Sequence, residues 1–369
     1  MDMNKTLEGR LASLRRLMAD RGYDAVVLRN NPDLRWLTGA ERTFDDESAH
    51  TALVTAEGQW LHTDSRYFNT FRERLGGDSV WDIDQDVVGH AEWAAARIAD
   101  TGSRTVAIED TATVAFLDEL VERTADSVEL PRLHGDICDL RMVKDTEELE
   151  LLREAQRITD EAFTEILNYV KPGVTESEIA ARLTYLMACK GAERNSFTPI
   201  VATGANGSKP HAIPGPALIG PGQFVTMDFG CVMGGYCSDM TRTVCVGQPS
   251  EEMELVYNTV LKAQLAAIDM IRGGVNGAAV HKAADDVIVA AGYGGKMGHG
   301  LGHSLGIEVH ESPRFSPFWD KAVPAGAFLS VEPGIYLPGK FGVRIEDVVM
   351  LTEDGCIDIT NSPKNLIIL

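Results

Sequence analysis

The chain runs to 369 residues, 44% hydrophobic and 24% charged, an ordinary globular composition with length for two cores rather than one. Its formal net charge of −21 argues against a nucleic acid or an anionic membrane held through a charged surface. The opening residues carry no apolar stretch behind a basic patch, and no apolar run reaches the roughly 18 residues of a membrane span, so neither a signal peptide nor a transmembrane helix is expected. Cysteines 138, 189, 231, 237, 245 and 356 are scattered without a CxxC pair, which fits a reducing cytoplasm better than a disulfide framework or zinc ribbon.

In chain order, Leu7, Leu11, Leu14 and Met18 recur at helical spacing and Gly22 ends that helix. Short strands follow at Ala25–Leu28, Ala52–Val54, Trp60–His62 and Thr105–Ile108, with helices near Glu92–Asp100 and Ala115–Arg123. That describes a small α/β domain over residues 1–134, with a second domain over 135–369. A long amphipathic helix (Glu147–Tyr169) opens the second domain, and Thr175-Glu176-Ser177-Glu178 is a capping box for the next. Short strands and glycine-rich turns run from Phe197 to Val246, two helices follow (Glu251–Ile271 and Ala278–Ala291), and strands return to the C-terminus. This order predicts an α+β fold with helices packed on one side of the sheet.

Chemistry concentrates in the second domain. Phe224–Gly230 and Tyr236–Thr243 flank a turn at Met233-Gly234-Gly235, and the implied hairpin sets Asp228 almost opposite Asp239. Two facing carboxylates in apolar strands repel unless cations neutralise them; the alternative is that one faces solvent. In the run from Met297 to Pro313, His299, His303 and His310 stand among Gly298, Gly300, Gly302 and Gly306, which would let the backbone pass close to a ligand or metal. Beyond Gly306 the alternation reads as a strand with Glu308 and His310 on its polar face. Glu332 and Glu346 then sit inside apolar strands, with Arg344 as a competing ion-pair partner. Two Asp, two Glu and a His form an oxygen-rich set suited to Mn²⁺, Co²⁺ or Zn²⁺, and five such ligands can hold two ions.

In order and spacing these motifs resemble the creatinase/methionine-aminopeptidase (M24, pita-bread) superfamily, specifically its Xaa-Pro peptidase branch of prolidase and aminopeptidase P. The resemblance spans the chain, with Leu61–Tyr67 similar to a creatinase-type N-terminal domain. It implies a pita-bread catalytic domain, two divalent metal ions, Mn²⁺ foremost, and hydrolysis of Xaa-Pro peptide bonds by a homodimer. By that resemblance Asp239 and Glu346 bridge the ions, His303 and Glu332 complete one site, and Asp228 chelates the other. The family's auxiliary histidines match His211, His299 and His310, and Arg344 matches an arginine that orients a ligand carboxylate. His281, mid-helix, has no such match and reads as structural. Glu332 is the expected general base, and His310 and His211 donors to an oxyanion. Arg314 either takes the carboxylate of a dipeptide or is rim charge. The first tilts the reading to a dipeptidase over an aminopeptidase P acting on longer peptides.

Other readings compete. Gly302-His303-Ser304-Leu305-Gly306 satisfies GxSxG, but that elbow needs an apolar strand before the serine and a helix after it, with Asp and then His downstream. A non-catalytic relative, or a metal-independent creatinase, is expected to have lost ligands, and all five stand here. Methionine aminopeptidase shares the ligands but not the N-terminal module. Another C–N hydrolase on the same two-metal site stays open, since fold and metals do not fix substrate.

Overall fold

The computed structural model describes residues 3–45, 47–76 and 79–369. Met1 and Asp2, the first residues of the segment weighed as a signal peptide, lie outside that range. The chain divides into two compact units, Met1–Leu140 and Arg141–Leu369.

In the first, α1 (Met3–Arg21) buries Leu7, Leu11, Leu14 and Met18 along one face, and Gly22 closes it at φ 72°. There follow β1 (Ala25–Leu28), α2 (Asn31–Thr38), β2 (His50–Thr55), β3 (Gln59–Thr63), α3 (Phe68–Leu75), β4 (Asp82–Asp84), α4 (His90–Thr101), β5 (Val106–Ile108), α5 (Val114–Arg123) and α6 (Asp136–Leu140). The sheet order is β4-β3-β2-β1-β5, antiparallel in the middle and parallel at both edge pairs. The boundary expected at 134/135 falls just before α6, which the division keeps with the first unit. Sequence periodicity passed over α2 and α3, because eight residues make only about two turns.

The second unit starts with α7 (Thr146–Ile166) and α8 (Glu176–Cys189). Asp145 and Thr175 each close a full capping box at their starts. Strands β6 (Arg194–Asn195), β7 (Ile200–Thr203), β8 (Gln223–Phe229), β9 (Cys231–Met233), β10 (Tyr236–Cys237) and β11 (Met240–Val246) follow. Then come α9 (Glu251–Met270), β12 (Val275–Asn276) and α10 (Gly277–Ala290). The chain ends in strands β13 (Gly302–Ser304), β14 (Glu311–Phe315), β15 (Ala322–Val323), β16 (Phe328–Val331), β17 (Gly334–Leu337), β18 (Phe341–Arg344), β19 (Asp347–Leu351) and β20 (Cys356–Asp358). Two helix pairs each cover their own strands. Ile158, Phe163 and Leu183 of α7 and α8 pack on Met227 and Phe229, and Val260 and Ile288 of α9 and α10 pack on Leu329 and Val349. Each such fully buried Leu, Ile or Phe contributes about 1.5–3 kcal/mol, so the strands between the pairs are held firmly enough to carry charges inside. This is the expected α+β, pita-bread arrangement. No helix among the described residues is long and apolar enough to cross a membrane, and the six cysteines are free.

Candidate metal centre

The hairpin at Gly234-Gly235 forms, with Tyr236 opposite Met233. Its register corrects one expectation, because Asp228 faces Thr241 rather than Asp239. A Cβ on Gly230 would lie 1.9 Å from the Ser238 carbonyl oxygen, so only glycine lets the two chains approach there. The ladder breaks at this crossing, and Asp239 falls just outside β11, on the diagonal from Asp228 and on the same face. Thr241, between them, ties in a third carboxylate: its Oγ1 donates to Glu346 Oε2 at 2.7 Å and its carbonyl accepts the Glu346 N–H at 3.1 Å.

His303 is the middle residue of β13 and Glu332 follows the end of β16. The pairing of β13 with β16 depends on Gly302, where a Cβ would meet the Ser330 carbonyl oxygen at 1.9 Å. That glycine serves strand packing rather than ligand approach. Ser330 Oγ donates to Glu332 Oε1 at 3.1 Å and accepts the His303 N–H at 3.1 Å, fixing both residues. The strand expected beyond Gly306 is absent: residues 305–310 form the connection from β13 to β14.

Four carboxylates thus converge with one imidazole. His303 Nε2 lies 3.4 Å from Glu332 Oε1 and 3.8 Å from Asp239 Oδ2. Asp239, His303 and Glu346 each offer a ligand atom within 4.8 Å of the others. Burial, then the neighbouring Asp228 and Glu332, drives the Asp239 carboxyl well above its usual range; burial and Asp239 do the same to Glu346. Burial pushes Glu332 up to about 8 despite Arg344. His303 is held neutral, its pKa lowered to about 3 by burial and His310, and its Nδ1 donates to the Ser304 carbonyl, leaving the Nε2 lone pair toward the acids. Asp228 Oδ1 and Asp239 Oδ1 are buried without a partner. Crowded acids, orphaned oxygens and a lone pair aimed among them fit a divalent cation, and the oxygen-rich donor set suits a hard or borderline one.

Arg344 is the cation the chain itself supplies. Its Nη2 donates to Asp228 Oδ2 at 2.5 Å, its Nε to Thr241 Oγ1 at 3.0 Å, and its Nη1 to the Tyr336 hydroxyl at 2.8 Å. Tyr336 in turn pairs with His299 Nε2 at 3.0 Å, while His299 Nδ1 donates to the Gly300 carbonyl. Burial lowers His299 to about 4. Tyr336 was not singled out from sequence; one tyrosine in an apolar strand carries no local sign of such a role.

The four carboxylates, His303, His299, Tyr336 and Arg344 line one cavity of about 880 Å³, with His211, His310 and Arg314 on its exposed wall. His310 stands edge-on to His303, ring centroids 4.4 Å apart. Arg314 pairs with His303 across β13 and β14, so both side chains share a face. His211 rides on a segment pinned by the buried Glu176, whose Oε1 accepts from the Thr203 N–H at 2.8 Å and whose Oε2 accepts from the Gly215 N–H at 3.1 Å. Ser304 does not line the cavity, whereas His281 does.

Known proteins place this geometry. The pattern of metallopeptidase family M24 matches residues 150–353, and that of the creatinase/prolidase N-terminal domain matches residues 10–143. An uncharacterized peptidase of Bacillus subtilis is 36% identical, over 98% of this chain and 100% of its own. The structure of an Xaa-Pro dipeptidase from Bacillus anthracis superposes with a TM-score of 0.92 at 35% identity, covering 98% of this chain and 100% of that one. An X-Pro aminopeptidase from Thermotoga maritima gives 0.89 at 32% identity, covering 97% and 99%. With a charge cluster built for a cation inside the matched region, the chain belongs to metallopeptidase family M24, in its prolidase branch, and is a peptidase.

Proposed function

We propose that the protein is an Xaa-Pro dipeptidase working with two divalent cations, Mn²⁺ foremost. The carrying observation is the set of four carboxylates around His303, three of them buried and Glu332 half-buried, with Asp228 Oδ1 and Asp239 Oδ1 left unpaired among the described residues. Asp239 and Glu346 would be shared between the ions, His303 and Glu332 would hold one, and Asp228 the other, with Arg344 orienting the Asp228 carboxylate. When bound, the cations supply Lewis acidity toward the scissile carbonyl and acidify water.

The residues supply the rest. Glu332 accepts a proton from the attacking water and passes it to the prolyl nitrogen as the C–N bond breaks; without that proton a tertiary amide leaves poorly. His310 and His211 offer N–H groups to the oxyanion. His299 steadies Arg344 through Tyr336. Arg314 takes the C-terminal carboxylate of a dipeptide. A homodimer in the reducing cytoplasm belongs to this reading, and the six free thiols support the compartment.

The cavity, large for a dipeptide, and the likeness to the Thermotoga aminopeptidase favour a second reading, Xaa-Pro aminopeptidase activity on longer peptides. Rates on Xaa-Pro dipeptides and Xaa-Pro-Yaa peptides, after chelation and after Mn²⁺ addition, decide between them. Chelation should silence both activities and Mn²⁺ restore the preferred one. Full activity in the chelated protein would remove the metal from the reading.

A further inference from the structure

The cavity continues past the carboxylate cluster along α10. His281 and Asp285, one turn apart on that helix, line it together with Met297, His299 and Phe318. Among the described residues, Asp285 is the one lining carboxylate outside the cluster of Asp228, Asp239, Glu332 and Glu346. It makes no hydrogen bond or ion pair among the described residues, whereas its neighbour Asp286 is held by Lys282 at 2.6 Å. His281 Nδ1 is buried and also has no partner. The half-buried Asp285 carboxylate and the buried His281 Nδ1 thus both face the cavity wall unpaired, and a buried ring nitrogen is ordinarily satisfied internally.

The backbone of Arg314 stands against the other end of the same helix. Gly277, which begins α10, packs on the Arg314 backbone so closely that a Cβ would lie 2.4 Å from its carbonyl oxygen. Asp285 is about 12 Å of helix further on. A dipeptide backbone spans at most about 7 Å. On that backbone-to-backbone scale a dipeptide held by its carboxylate at the Arg314 end stops short of Asp285, and a long cationic side chain on the first residue covers the difference.

We propose that Asp285, with His281 Nδ1 as a second acceptor, forms a subsite for a cationic nitrogen on the amino side of the scissile bond, filled best by a Lys or Arg before proline. The orientation of the substrate rests on the Xaa-Pro reading above. The test compares Lys-Pro with norleucine-Pro, which keeps the stem and lacks the charge. In wild type the ratio of kcat/KM favours Lys-Pro, and in Asp285→Asn that ratio falls about tenfold, the low end for a hydrogen bond to a charged group. Asp285→Lys should turn the preference toward Glu-Pro over Gln-Pro. Calorimetric binding of the same dipeptides to the metal-free protein should give the same order without turnover. If no Xaa-Pro dipeptide is hydrolysed, the proposed function fails while the binding order still decides the subsite. An equal loss for Lys-Pro and norleucine-Pro, in rate and in binding, overturns the side-chain subsite. Unchanged rate ratios and unchanged binding in both variants overturn it.

Discussion

Two buried charge clusters lie at either end of the loop from Leu305 to His310, and they solve opposite problems. At one end Glu311 has cations in the chain: its Oε1 accepts from Arg141, and its Oε2 accepts from Lys144 at 2.8 Å. Burial alone would raise this carboxyl, yet Lys144 and Arg141 overcome it and hold the pKa near about 2. At the other end Asp228, Asp239, Glu332 and Glu346 share a single arginine, and the Asp239, Glu332 and Glu346 carboxyls are driven upward. Both clusters are carboxylates taken largely out of water, so the difference lies in where the positive charge comes from. The Glu311 cluster is complete within the fold. The other is balanced only when a cation arrives from solution.

The sharpest way to break this contrast is Asp239→Asn. A ligand serving both ions should, when lost, empty both sites and lower kcat/KM by orders of magnitude, while folding survives because no internal partner of Asp239 Oδ1 is forfeited. Metal analysis of the purified variant checks it. Two ions still bound per chain would show that Asp239 is not shared.

Glu311→Gln should do the reverse, leaving metal stoichiometry in place and costing stability. Lys144 and Arg141 would stay buried beside a neutral amide, a loss of about 3–5 kcal/mol in urea unfolding at pH 7. The pH dependence follows from the depressed pKa. The carboxylate's contribution is present above its unfolded value of about 4.3 and is lost as pH falls through about 2. The gap between wild type and variant should therefore close on acidification across that window. A gap that is constant from pH 7 to pH 2 would mean that the carboxylate's charge is not what stabilises the loop.

Much of this was legible in the chain because the signals are local. The capping box at Thr175 uses residues three apart, and the hydrophobic row of α1 follows from periodicity. The acids of the site could be named because each stands in or beside an apolar strand, and His299, His303 and His310 because they crowd a glycine-rich run. The exact pairing of Asp228 could not, since it depends on a backbone crossing at Gly230 and Ser238. Nor could Tyr336, Glu176 or the wall of His281 and Asp285, whose roles arise from partners far along the chain or from which helix face meets the cavity. Alternation beyond Gly306 misled for a related reason: a loop stapled by the Cys237 N–H to the Gly306 carbonyl imitates a strand's pattern over a few residues.

Arg314→Ala sharpens the contrast from the substrate side, because this exposed arginine lies in the cavity and outside both clusters. If it takes a dipeptide's carboxylate, its loss should weaken hydrolysis by about 1.5–3 kcal/mol, roughly 10–150-fold in kcat/KM. C-terminally amidated dipeptides and longer peptides should lose far less. Equal losses on dipeptide and amide would instead give Arg314 a structural part and remove the argument for a dipeptidase.

The smallest effect is expected at Ser304, the residue that a GxSxG pattern would make the nucleophile. In the structure Ser304 alternates with His303 along β13 and points away from the cavity that His303 lines. Its Oγ is buried without a hydrogen-bond partner, so no base is placed to activate it. Replacing a buried, unsatisfied hydroxyl by a methyl group removes a desolvation cost, and Ser304→Ala should fold as stably as wild type or slightly more so. Activity on Xaa-Pro dipeptides should stay within a few-fold of wild type. A serine nucleophile lost in the same way costs on the order of 10⁶ in kcat. A variant that keeps its metal and its melting temperature yet loses activity on that scale would return the chemistry to Ser304, and the unpaired carboxylates would then need another explanation.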